Sequence, residues 1–381
     1  MEKLRRIALL MGKNIGYNRD VIQGIYAFSQ KRKNWIFRDS APRPDSIEWL
    51  QRWRPDGIIG HLYNDEFAQT LANLNIPIVS TTDSLVHLNY PLADVHHEKV
   101  GEMAAKYLKD LGLEHFAYVG DAQIQYSRQR FSSFKRTLGR EVELCDVPYL
   151  PRIQDSRILY SATNKMRKWL KKLPKPIGIF CSNDVPARDL ADVCLELNIK
   201  VPDEVVILGV DNDLVECRLS RPPLSSIEIP AAKIGYEAAS MLEDLMTGIP
   251  LQSTTFTPPP IRVIERESTN ISAVDDQEVK NALNYIKEHF AEIQSIDQVV
   301  EQTSLGRRSL EKRFRTLLNK SMLEVLHNQR LANAKKLLIN SQEDLSSIAE
   351  LCGYSSSARL AQNFKKHYLC SPSEYARQYK V

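Results

Sequence analysis

No stretch of the 381-residue sequence approaches the ~18 consecutive apolar residues of a membrane-spanning helix. The N-terminal MEKLRRIALLMGK has the charge of a secretory leader, but its apolar run IALLM is too short for one and reads as a first strand. The six cysteines (Cys145, Cys181, Cys194, Cys217, Cys352, Cys370) form no CxxC pair and no framework spacing, so they read as reduced, mostly buried thiols in a cytoplasmic protein. Phosphate-cradling glycine spacings are missing too, since GKNIGYN fits neither GxxxxGK nor GxGxxG. No G-x-S-x-G motif or Ser–His–Asp order stands out, and no catalytic residue is assigned. His96-His97 is the nearest thing to a metal motif. Adjacent histidines cannot face one ion from a helix, and no third ligand is near in sequence, so neither metal nor cofactor is expected. Excess charge is also lacking: a net +4 permits nucleic-acid binding without demanding it, and any case for DNA rests on where the charge sits.

The length implies two or three domains, and a hydrophobic fraction of 43% supplies ample core. Up to about residue 265, short β-branched runs (RRIALLM, DGIIGHL, IPIVST, HFAYVGD, PIGIFCS, EVVILGVD) alternate with helical patterns such as EKVGEMAAKYLKDLG and PARDLADVCLELN. That alternation predicts parallel sheets covered by helices on both faces. Ligands in such folds bind beyond the carboxyl ends of strands, which singles out the loops Gly12–Arg19, His61–Asp65, Thr81–Ser84, Asp121–Arg130, Ser182–Asp184 and Asp211–Asp213.

Around Arg262–Lys280 the pattern dissolves into a polar linker, and beyond it only helical patterns appear. Near the end, Leu345, Ile348, Ala349 and Cys352 keep helical spacing up to Gly353-Tyr354, and the spacing resumes at Leu360 and Phe364. Gly353 can end one helix in the left-handed conformation, and Ser355 or Ser356 can cap the next. Two helices joined this way are an αα-hairpin or a DNA-binding helix-turn-helix. Leu310 and Phe314 sit fifty positions before Leu360 and Phe364, and a long amphipathic helix over 322–339 separates the two units. Two accidental hairpins joined by a stiff helix are hard to imagine, which favours a tandem helix-turn-helix. With Leu310, Phe314 and Leu317 facing the core, Arg308, Glu311, Lys312 and Arg315 face outward next to Arg307. In the second unit Arg359, Gln362, Asn363 and Lys366 do so. Arg and Lys neutralise phosphates, and Arg, Asn and Gln read base edges. Lys335-Lys336 reads as a solvated face.

The ordered set Arg330, Ala334, Leu337-Leu338, Ile348-Ala349, Gly353-Tyr354, Phe364-Lys365, Ser371-Pro372 and Tyr375 resembles the AraC family of transcription regulators over about residues 279–381. Three positions depart from that family: Leu360 replaces the usual Phe, Leu369 the usual Gly, and Gly306 a capping Ser. The front, residues 5–268, resembles LacI-type, periplasmic-binding-protein-like sugar domains. This rests on QRFSSF (with Ser133 for Gly), CSNDVPARDL, VPDEVVILGVDND, RPPLSSIEIP and IRVIERES. Such domains normally follow an N-terminal helix-turn-helix, whereas here the DNA-binding unit lies at the other end. The order, with NIGYNRD and PPIRVIERESTN, is similar to the xylose-operon activators.

The resemblance implies a two-lobed α/β sugar domain over 1–268, with parallel sheets crossed three times by the chain. Lobe 1 is expected over about 1–112 and 230–252, and lobe 2 over 113–229 and 253–268. A linker over 269–278 leads to an all-α double helix-turn-helix over 279–381. By family position Arg130, Asn183 and Asp211 contact sugar hydroxyls, with Asp184 adjacent and Tyr17 and Arg19 in the first loop. Asp184 has an alternative reading as a helix N-cap, and Asp211 as the organiser of its own turn. His96, which replaces a common Asp, is read as structural. The implied function is a non-enzymatic, homodimeric activator of a pentose operon, xylose leading, with double-stranded operator DNA, a small sugar and RNA polymerase as partners and no membrane contact. The rival readings are an α/β sugar-modifying enzyme with an accessory DNA-binding tail, and a regulator of a different metabolite.

Overall fold

The computed structural model describes residues 4–379 apart from 14, 31–33, 63–64, 85–89, 149–155, 271–275, 319, 342 and 369. The chain forms two compact units, Met1–Asn270 and Ile271–Val381. Residues 271–275 of the expected linker, together with Leu369, lie outside the described residues.

In the first unit, β1 (Arg5–Leu10), β2 (Trp35–Ser40), β3 (Gly57–Gly60), β4 (Ile78–Ser80) and β5 (Leu92–Ala93) precede β6 (His115–Gly120), β7 (Glu143–Asp146), β8 (Ile177–Cys181), β9 (Val205–Val210) and β10 (Ser225–Glu228), with β11 (Thr255–Phe256) and β12 (Arg262–Ile264) last. Helices α1 (Gly16–Ser29), α2 (Ser46–Trp53), α3 (Asp65–Ala72), α4 (His97–Asp110), α5 (Gln125–Leu138), α6 (Ser156–Leu170), α7 (Asp184–Glu196), α8 (Leu214–Leu219) and α9 (Ala231–Thr247) connect them. Two six-stranded sheets result, ordered β11-β5-β4-β3-β1-β2 and β12-β10-β9-β8-β6-β7. Every pairing is parallel except β10 with β12. Every residue of β8 and β9 is buried, which is why these strands read as unbroken apolar runs rather than alternating ones. Helices α1 and α9 meet backbone to backbone: a Cβ on Gly24 would lie 1.8 Å from the Ala232 carbonyl oxygen.

The chain passes between the sheets three times, and two passages differ from expectation. Helix α4 packs on α5, and its Leu108 lies beside Gly178 of β8, so α4 belongs to the second lobe. The first passage is therefore at 94–96 rather than near 112. The second is at 229–230, as expected. Because β11 still pairs with β5, the third falls at 257–261 rather than near 252. The passages are stitched side by side, His96 N–H donating to the Pro258 carbonyl at 2.8 Å and Ile261 N–H to that of Glu228 at 2.8 Å.

The second unit holds α10 (Gln277–His289), α11 (Asp297–Val300), α12 (Arg307–Leu318), α13 (Met322–Asn340), α14 (Leu345–Leu351), α15 (Ser357–Tyr368) and α16 (Pro372–Tyr379). Asp276 caps α10 by accepting from the Glu278 and Val279 N–H groups, so this helix starts inside the expected linker. Two cores form. One gathers Val279, Ile286, Val299, Leu310 and Phe314, the other Ile348, Cys352, Tyr354, Leu360 and Phe364. Helix α13 feeds the first through Leu326 and the second through Leu331, Ala334 and Leu338. Leu317 is an exception to the expected core face, being 46% exposed. The buried stripe of α12 runs through Leu310, Phe314 and Leu318, each four residues on, and leaves Leu317 off it.

Candidate functional site

All six loops singled out by their strand ends converge on one cleft between the two sheets, where a cavity of about 270 Å³ lies. From the first lobe it is lined by Tyr17, His61, Thr82 and Ser84, with Asp94 at the first passage. The second lobe contributes His97, Asp121, Gln123, Tyr126, Arg130, Asn183 and Asp211. Ile15, Ile124 and Ile229 provide apolar walls. The volume is near the lower end of the usual ligand-pocket range of about 300–1,000 Å³, which suits one small molecule.

Tyr17 enters on the first turn of α1, and its hydroxyl donates to the Thr81 carbonyl at 2.8 Å and lies 3.4 Å from Asp94 Oδ1. Burial, then Asp94 and Asp211, push that hydroxyl well above its ordinary range, keeping it a neutral donor. Asp94 itself accepts from the Asp83 and Val95 N–H groups at 2.7 Å each and faces His97 Nε2 at 3.0 Å. Burial opposes its ionisation, but the His97 imidazole and the two backbone donors outweigh it and hold the carboxyl below the usual range. Burial pushes the His61 imidazole down to about 4, so it stays neutral near pH 7.

Arg130, on α5, is buried and fixed on every side. Its Nε donates to His97 Nδ1 at 3.3 Å, one terminal nitrogen bonds the Ser182 carbonyl, and the other lies 4.0 Å from Asp211 Oδ1. The guanidinium also rests over the Tyr126 ring. Asn183 donates to the Tyr126 hydroxyl at 3.3 Å, while its own buried Oδ1 has no hydrogen-bond partner among the described residues. Asp211 follows β9 with φ at +98°, a strained setting for a non-glycine residue that aims its carboxyl into the cleft. Burial, against the pull of Arg130, pushes that carboxyl up to about 6.

Two expected contacts are absent from the cavity wall. Asp184 is buried behind it, accepting the Asp213 N–H at 2.8 Å, because the first residue of α7 turns beneath β9. It is not the N-cap of α7 either; Asn183 holds that place. Arg19 lies two residues past Tyr17, off the wall, and pairs across the lobes with Asp213 at 3.1 Å. Asp94 and His97 were missed from sequence, since adjacent histidines gave no clue that Arg130, far along the chain, would select one of them. His96 precedes α4 without a side-chain cap bond and does not line the cavity.

In the second unit, Arg307, Arg308, Lys312 and Arg315 project from α12 into solvent, and Glu311 is half-buried. Arg307 is held by Asp297 at 3.0 Å and Arg315 by Glu311 at 3.6 Å. On α15, Arg359, Gln362 and Lys366 are exposed and Asn363 half-buried, its amide donating to the Arg359 carbonyl at 2.8 Å. Ser356 supplies the expected cap, accepting the Arg359 N–H at 3.3 Å. Helices α12 and α15 are offset by fifty residues, and the capping pairs that follow, Ser321 with Glu324 and Ser371 with Glu374, keep the same offset.

Family profiles match the chain in three segments: an XylR N-terminal domain over residues 6–97, a periplasmic binding protein-like domain over 105–269 and a helix-turn-helix domain over 299–378. The xylose operon regulatory protein of Escherichia coli (strain K12) is 31% identical over 98% of this chain and 97% of its own length. That of Haemophilus influenzae is 31% identical over 98% of each. A solved xylose-binding transcription activator superposes over 100% of both chains with a TM-score of 0.62 and 29% identity. A LacI-type regulator from Alkaliphilus metalliredigens, 20% identical with a TM-score of 0.57, covers 70% of this chain and shares the two-lobed fold. The chain belongs to the family of the xylose operon regulatory proteins, transcription regulators that join a periplasmic-binding-protein-like domain to a C-terminal AraC-type helix-turn-helix domain.

Proposed function

We propose that the cleft binds a pentose, xylose leading, and that occupancy controls how the second unit engages its operator and activates a pentose operon. The carrying observation is the lining of the cleft. Asp94, Asp211, Asn183 and Arg130 set paired donors and acceptors for vicinal hydroxyls opposite apolar isoleucine walls for C–H surface. Relatives named for the xylose operon, and a solved relative described as xylose-binding, support the choice of sugar.

In this reading residues 1–268 bind the sugar, and Arg130, Asn183 and Asp211 contact it directly. Tyr17 and Asp94 hold the first lobe's half of the site, while Asp184 and Arg19 act from behind the wall. The helices α12 and α15 enter the DNA major groove, Arg308 and Gln362 reading bases and Lys366 contacting phosphate. A homodimer, RNA polymerase as a partner and a cytoplasmic location complete the proposal. Among the described residues no helix is long and apolar enough to cross a membrane. Family membership removes the sugar-modifying enzyme as a rival, since the relatives are transcription regulators.

A thermal-shift screen against pentoses, hexoses and their phosphates tests the reading. A pentose at 100 times its dissociation constant stabilises the fold by about 2.7 kcal/mol. If no pentose shifts melting while another class does, the choice of ligand is wrong.

A further inference from the structure

Three successive residues after β9 point in three directions. Asp211 faces the cavity, and Asp213 accepts from Arg19 of the other lobe at 3.1 Å. Asn212, between them, is turned by its positive φ of +54° toward the segment that leaves the first unit. Its Oδ1 accepts from Arg266 at 2.6 Å, and its own N–H donates to Ser226 Oγ at 2.9 Å. Arg266 also donates to the Leu224 carbonyl at 2.7 Å, and its backbone N–H to Ser225 Oγ at 2.7 Å.

The four residues that follow complete the unit. Ser268 is fully buried; its Oγ donates to the Ile207 carbonyl of β9 at 2.7 Å and accepts the Ser225 N–H at 2.8 Å. Thr269 shares hydrogen bonds of 2.7 Å with Ser225 Oγ and with the Tyr107 hydroxyl. Tyr107 lies on α4, the helix that begins at His97 in the cavity wall. The exit segment is therefore tied to the cavity twice, through Asp211–Asn212–Arg266 and through His97–α4–Tyr107–Thr269. An ordinary chain end needs no buried serine and no guanidinium held between a side-chain amide and a carbonyl.

We infer that Asn212 and Arg266 are positioning residues that carry the state of the sugar cleft to the exit at Arg266–Thr269, and so to the DNA-binding unit. This rests on the sugar reading of the cleft. When a ligand engages the Asp211 carboxylate, it fixes the turn that already holds Arg266, and the ordered turn sets the exit segment. A polar relay of this kind is a claim about coupling, so its test must measure coupling apart from either binding event.

The experiment uses the full chain, its operator and D-xylose. Asn212→Gly keeps the left-handed turn at ease and deletes the acceptor, while Asn212→Asp retains one and serves as the rescue. Three quantities are read for each protein: D-xylose affinity, operator affinity without sugar, and the ratio of operator affinities with and without sugar. Amide hydrogen exchange over residues 262–270 is followed in parallel. In Asn212→Gly the ratio is expected to fall at least fivefold toward one, with both separate affinities kept within about threefold. Asn212→Asp restores the ratio. Sugar-dependent protection of 262–270 is expected in the wild type and is lost in Asn212→Gly. If the wild type binds D-xylose but Asn212→Gly keeps its full ratio, or if 262–270 shows no sugar-dependent protection, the relay is wrong and the sugar reading stands. If the wild type binds no sugar in the screen, the sugar reading fails and the relay fails with it.

Discussion

Asp211 has its carboxyl pushed up to about 6 by burial, with Arg130 pulling down and Asp94, Asp213 and Asp20 pushing further up. A folded value above the unfolded one means that the empty protein gains stability from this group below about pH 4 and has lost it by about pH 6. A sugar hydroxyl that donates to the carboxylate favours the ionised form, so affinity runs the other way. Titration calorimetry is expected to show a plateau above pH 7 and about tenfold weaker binding at pH 5, with Asp211→Asn weaker throughout and flat over that range. An Asp211→Asn variant that keeps the slope would assign the titration to another group; His61, already neutral above about 4, is not that group. The place of Arg130, Asn183 and Asp211 in the cavity wall was legible in the sequence because Asn183 and Asp211 follow the carboxyl ends of β8 and β9, and Arg130 sits in the QRFSSF motif on α5. Asp94 and His97 were not, since their role depends on Arg130, Tyr17 and the Asp83 N–H, and no local pattern announces that meeting.

At the scale of elements, the two helix-turn-helix units show which parts of a repeat are replaceable. Gly353 has φ at +73°, and a Cβ there would lie 2.5 Å from the Ala291 carbonyl, where the second unit's turn meets the end of α10. Gly306, ahead of α12, has open space around it. Gly353→Ala is expected to cost more than about 1 kcal/mol in urea unfolding, and Gly306→Ser to gain a few tenths by capping α12. Equal effects at the two sites would contradict this contrast. For DNA, Arg308→Ala and Gln362→Ala should each cost about 1–3 kcal/mol at a cognate operator and little on random sequence. Lys366→Ala should weaken both alike and lower the salt slope by about one. Competition binding separates these outcomes, and uniform weakening by all three would mean that none reads bases. The tail was legible because Leu310 and Phe314 recur as Leu360 and Phe364 in one register. Leu317 misled because an apolar residue three on from Phe314 also fits helical spacing, and only the packed core chooses Leu318.

For the whole molecule, apolar runs such as β8 and β9 announced parallel sheets and the family resemblance supplied the two lobes, yet two of the three passages between lobes were misplaced. The strands that decide them, β5 and β11, are two residues each, too short to carry a pattern, and α4 bears no mark of which sheet it covers. What joins the lobes around the cleft is also scattered along the chain: Gln125 and Gln129 donate to Asp83 at 3.2 and 2.8 Å, and Arg19 pairs with Asp213. Asp83 does not line the cavity, so Asp83→Ala leaves every lining side chain in place while loosening closure. Apparent affinity scales with the closed fraction, and calorimetry is expected to show sugar binding weakened severalfold. Unchanged affinity would mean that these bonds do not govern closure. On the proposed reading, the rim sets an inducer threshold that heredity can tune without touching either recognition surface. Selection for growth on scarcer sugar would enrich substitutions that tighten it, and the tightest would yield strains whose operon runs with no inducer at all.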